Sequence, residues 1–127
     1  MEIGEAKDGY TYDLEERLLE YAVQIVGLTD ALPNTRAGNH IAGQLLRSGT
    51  SPLSNHGEAQ AAESNNDFIH KLKICLKELK ESRRWIRLIQ KARLGPDADF
   101  ILAETEELVR IFAASIRTAE SRPKSVR

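Results

Sequence analysis

A chain of 127 residues, 41% hydrophobic and 29% charged, suits one soluble domain with its own core rather than a disordered or membrane-embedded chain. The formal net charge of −1 is not that of a strongly basic nucleic-acid-coating protein, and a single cysteine, Cys75, excludes an internal disulfide. No run is long enough to span a bilayer, and the acidic start MEIGEAKDGYTYDLEER has neither the character of a secretory signal nor that of a transit peptide, so a cytoplasmic location is expected.

Residues 1–12 lack periodicity and are expected to form a flexible arm. A first helix is predicted from about Asp13 to Asp30, with Leu14, Leu18, Tyr21, Ala22, Ile25 and Leu28 as its apolar stripe. Val23 and Val26 widen that stripe beyond one face, which suggests contacts on two sides. Pro33 ends this helix, and Asn34 or Thr35 can cap the next. The second helix starts near Arg36 with Ile41, Leu45 and Leu46 on its apolar side. Pro52 deletes a backbone donor and clashes with the preceding turn, so this helix is expected to kink there and continue to about Glu63.

The third helix, Ser64 to Arg93, is the longest helical pattern and holds no proline or glycine. Phe68, Leu72, Cys75, Leu79, Ser82, Ile86 and Ile89 step by four and three, the seam of a helix packed nearly parallel to its neighbours. Ser64 with Asp67 marks its start, and Gly95-Pro96 its stop. A fourth helix is predicted from about Asp99 to Ala119, capped by Asp97 or Asp99, with Ile101, Leu108, Ile111, Phe112, Ser115 and Ala119 inward. Residues 120–127 form a basic tail. Four helices on short loops predict an all-α fold: an up-down-up-down antiparallel four-helix bundle over residues 13–119 with a kinked second helix.

Charge is segregated along this frame. Residues 70–93 carry nine bases and two acids, whereas residues 1–35 carry eight acids and two bases. The basic face of the third helix is the one feature with functional content, and Lys71, Lys77, Lys80, Arg84, Arg87 and Lys91 are its candidate contacts to a nucleic acid or a protein partner. No chemistry of catalysis or metal binding is legible. His40, His56 and His70 lack ligand spacing, the serines form no nucleophile elbow, and no glycine pattern matches a phosphate loop. No cofactor or metal is expected, and the protein is expected not to be an enzyme.

The segment HIAGQLLRSGTSPLSNHGEAQAAESNNDFIHKLKICLKELKESRRWIRLI resembles the central part of the small bacterial four helix bundle protein family, which includes proteins encoded in intervening sequences of 23S ribosomal RNA genes. The accessory variability protein of diversity-generating retroelements has a similar fold. The resemblance rests on Gln44-Leu45, Arg47-Ser48, Thr50-Ser51, Asn55, Glu58-Ala59, Asp67-Phe68, Leu72, Lys77-Glu78, Glu81, Trp85 and Ile86. It implies a homopentamer. Arg47, Asn55, Glu58, Glu78 and Glu81 occupy motif positions and are expected to form a polar network around the kink, where proline frees backbone carbonyls. The functional expectation is a self-assembling structural or interaction module, with RNA binding through the third helix as the alternative.

Overall fold

The computed structural model describes residues 10–122, with side chains from Leu14 onward. It contains α1 (Tyr10–Asp30), α2 (Arg36–Gln60), α3 (Asn65–Ala92) and α4 (Asp99–Glu120), and no strand among the described residues. The chain is an all-α four-helix bundle. Helix α1 begins at Tyr10, three residues before the expected Asp13, which shortens the arm expected over 1–12. Residues 1–9 and 123–127, which hold most of the expected arm and tail, lie outside the described residues.

Each helix packs against the next in the chain, α1 and α4 meet more sparsely, and no α1 backbone comes close to α3, nor α2 to α4. α1 and α3 are therefore diagonal. Contacts between α2 and α3 run in opposite directions: Arg47 meets Glu78, Ser48 meets Ser82, and Glu58 meets Lys71. The interior is filled by Tyr21, Ile25, Leu45, Leu79, Ile86, Leu108 and Phe112, each at most 1% exposed. Burying a side chain of this size stabilises the fold by roughly 1.5–3 kcal/mol, and most of the helical stability comes from this shared face rather than from propensity.

Small residues set how closely the helices approach. A Cβ placed on Gly49 would lie 2.8 Å from the γ carbons of Ile25, so α1 and α2 touch where only glycine fits. Ser48 and Ser82 are fully buried and share a hydrogen bond of 2.8 Å across α2 and α3. Helix α2 runs unbroken through Pro52, which has no N–H to offer the Ser48 carbonyl. One turn on, the Cys75 thiol donates to the Pro52 carbonyl at 3.7 Å.

The helix ends follow their cap chemistry with two departures. Thr35 Oγ1 accepts from the Gly38 amide and Ser64 Oγ from the Asp67 amide, each at 3.0 Å. The first residue of α4 is preceded by Ala98, which has no capping side chain; Asp97 instead takes the Asp99 amide at 2.9 Å from one position further out. At the end of α3 the left-handed residue is Arg93 (φ 55°, ψ 48°), ahead of Gly95, because the Arg93 and Leu94 amides close onto the last turn. Within the helices, Leu46 is 41% exposed rather than inward, and α4 buries Thr105 and Ile116 in addition to the stripe read from sequence.

Candidate interaction surfaces

The outer face of α3 is a row of cations. Lys73, Lys77, Lys80, Arg84, Arg87 and Lys91 alternate four- and three-residue steps, all are exposed, and the row is diametrically opposite the buried seam. At ~1.5 Å per residue it is about 27 Å long. Lys73 pairs with Glu120 at 3.1 Å and Lys77 reaches Glu78 only at 4.0 Å. Lys80, Arg84, Arg87 and Lys91 have no ion pair among the described residues. A shallow groove runs along the near part of the row between Lys73, Lys80 and Arg84.

Five of the six candidate contact residues lie on this row. Lys71 does not: two positions from Lys73 it is rotated to the other side of the helix, half-buried, with Nζ donating to Glu58 at 2.7 Å. Lys73 takes its place. The seven-residue spacing 73, 80, 87 with 77, 84, 91 is the sequence signal that finds it.

The five residues expected around Pro52 separate into two groups. Arg47 bridges α2 to α3 by donating to Glu78 at 2.9 Å and to Glu81. Glu81 also accepts from the Trp85 indole N–H at 3.0 Å, and His40 stands edge-on to the Trp85 ring at 6.0 Å. The indole N–H and the Arg47 guanidinium hold the Glu81 carboxyl below the ordinary carboxylate range. Asn55 and Glu58 lie outside this cluster. Asn55 donates back to Ser51 within α2, at 3.2 Å to the carbonyl and 2.9 Å to the hydroxyl, and Glu58 is an exposed partner of Lys71. Trp85 and His40, which the motif positions did not group with Arg47, complete it.

A second surface lies on α1. Leu19, Val23 and Val26 are 46%, 58% and 43% exposed at four- and three-residue spacing, and exposed Glu15, Glu16, Glu20 and Asp30 surround them. Exposed apolar side chains are common singly; three in register on one helix face form a patch. Among the described residues no group of three or more His, Cys, Asp or Glu is placed to hold a metal ion, and no helix is long and apolar enough to cross a membrane.

The structure defines a small helical bundle whose polar chemistry is concentrated on two outer faces of opposite character. The chain belongs to the 23S rRNA-intervening sequence protein family, whose model matches residues 12–114. Among solved structures it is similar to a protein of unknown function from the S23 ribosomal protein family of Bacteroides thetaiotaomicron VPI-5482. That protein is 33% identical, the match covers 84% of this chain and 97% of that one, and the TM-score is 0.77. No curated protein matches the chain.

Proposed function

We propose that the protein is a non-enzymatic, self-assembling interaction module whose copies join head to tail, the acidic and apolar face of α1 meeting the cationic row of α3 on the next copy. The observation that supports this most directly is the diagonal placement of two complementary surfaces on one bundle: Leu19, Val23 and Val26 ringed by carboxylates on α1, and the row from Lys73 to Lys91 on α3. Surfaces of opposite sign on different sides of one molecule cannot satisfy each other within it, but can do so between copies. Head-to-tail contacts of this kind make a ring when the rotation between successive copies closes. Five is the ring size that the family resemblance implies.

Light scattering at low salt tests this. A pentamer of 14.2 kDa chains weighs about 71 kDa. Lys80→Glu with Arg84→Glu should dissociate it, and adding Glu16→Lys with Glu20→Lys should restore it. A wild-type mass of one chain at micromolar concentration overturns the proposal. The row of cations without ion pairs favours a second reading, RNA binding through α3. Neutralising about six phosphates on a single strand gives a log-log salt slope of roughly −4, so a flat titration, or no binding at low salt, removes that reading.

A further inference from the structure

At one end of the bundle the beginnings of α1 and α3 and the ends of α2 and α4 enclose a cavity of about 530 Å³. Leu14, Phe68, Leu72 and Ile111 form most of its apolar wall, and it opens along the sparse α1–α4 seam. Volumes of roughly 300–1,000 Å³ are those of small-molecule sites, and the space between bundle helices is a recurrent location for them.

One polar group in this wall has an unmet need. His56 lines the cavity, is 1% exposed, and has no hydrogen-bond partner for Nδ1 among the described residues. Gln60 Nε2 lies 3.1 Å from His56 Nε2; the amide nitrogen can only donate, so Nε2 accepts and the proton of the neutral ring resides on Nδ1. The ring meets Phe112 edge-on at 6.2 Å, an apolar neighbour that takes no hydrogen bond of ordinary strength. A buried donor left open in this way is costly, and it is the kind of convergent polar group that orients a ligand in an otherwise apolar site.

The charged residues at the rim are already engaged. Arg17 donates to both Glu104 oxygens at 3.0 and 2.7 Å, and Glu107 accepts from Arg110 at 2.8 Å. Neither offers a ligand charge an open counterion. We propose that this cavity is a binding site for an uncharged amphiphile, a small molecule with an apolar body and one carbonyl or hydroxyl oxygen that accepts from His56 Nδ1. The site lies away from the α3 row and the Leu19–Val26 patch, so it stands independently of the assembly proposed above.

The probe is 6-propionyl-2-(dimethylamino)naphthalene, an uncharged aromatic ketone whose emission moves to the blue in apolar surroundings. Titrated into the full chain, it should bind saturably at one per chain and move the ¹⁵N resonance of His56 Nδ1. Ser115→Trp fills the cavity from its wall and should abolish saturable binding; Ala114→Phe, on the exposed rim, does the same where Ser115→Trp fails to fold. His56→Phe keeps the apolar wall and removes the donor, so affinity should fall at least fivefold, while 2-(dimethylamino)naphthalene, which lacks the ketone, should lose nothing further. Non-saturable binding, binding undiminished in a folded cavity-filling variant, or equal affinity in His56→Phe overturns the proposal.

Discussion

The buried hydroxyl pair between α1 and α4 sets an unequal consequence for its two members. Tyr21 and Thr105 are at most 1% exposed, and their oxygens lie 2.7 Å apart. Thr105 Oγ1 is also 2.7 Å from the Ile101 carbonyl, which can only accept. The single threonine proton therefore goes to Ile101, and Tyr21 is the donor to Thr105. Tyr21→Phe leaves Thr105 with its carbonyl bond intact and only a lone pair unmet, a loss of about 1 kcal/mol. Thr105→Val keeps the shape but removes the acceptor 2.7 Å from the Tyr21 O–H, leaving it only the weaker contact with Ser82, and the desolvation penalty of a poorly paired buried donor raises the loss to about 2 kcal/mol. The double variant has neither group and should lose about 1 kcal/mol, well short of the sum. Urea unfolding of the four proteins at one fixed chain concentration, followed by circular dichroism at 222 nm, measures the cycle; fixed concentration matters because association contributes to apparent stability. Additive losses, or a Thr105→Val protein as stable as Tyr21→Phe, would refute the proton assignment.

Gly49→Ala should destabilise by about 1–3 kcal/mol despite alanine's better helix propensity, because the new methyl meets the Ile25 γ carbons at 2.8 Å; pairing it with Ile25→Ala should recover part of the loss, and an increase in melting temperature for Gly49→Ala alone would contradict the close approach. Burial pushes the Cys75 thiol from 9.0 up to about 12 and the Tyr21 phenol from 10.0 up to about 12. In the unfolded chain both ionise earlier, so the neutral forms favour the fold; that contribution is fully present below pH 9 and is lost as pH rises from 9 toward 12. Stability should therefore decline over that interval, and the Cys75→Ser protein should decline less steeply over its lower part. Slow alkylation of Cys75 at pH 8 in the native protein, accelerated in urea, checks the same burial.

The seam of α3 was legible because helical period alone decides Phe68, Leu72, Cys75, Leu79, Ser82, Ile86 and Ile89, and all are buried except Phe68, which is half-buried at the end of the bundle. The missed positions needed information from another helix. Thr105 reads as a surface residue until Tyr21 supplies its partner, and Leu46 reads as core until its rotation away from Ile41 and Leu45 is seen. Lys71 and Lys73 are indistinguishable by charge, and their separation follows from register: one side of α3 meets α2, where Glu58 waits, and the other meets solvent and Glu120. Glu58 and Glu78 both held motif positions, yet Glu58 is exposed beside Lys71 whereas Glu78 is 7% exposed against Arg47. His56 gives the same lesson, since the cavity beside it depends on the spacing of α1 from α4, which no local pattern encodes.

The cationic row of α3 has a mechanical meaning apart from any partner. Its six residues form five successive like-charge neighbours at three or four positions, each opposing the helix by about 0.2–0.5 kcal/mol, or roughly 1–2.5 kcal/mol for the row. The buried face holds the helix straight against a spring that its outer face keeps compressed. Counterions relax that spring in the same way as an acidic surface would, so salt shifts the stability of α3 by up to that amount while the buried seam supplies the larger share.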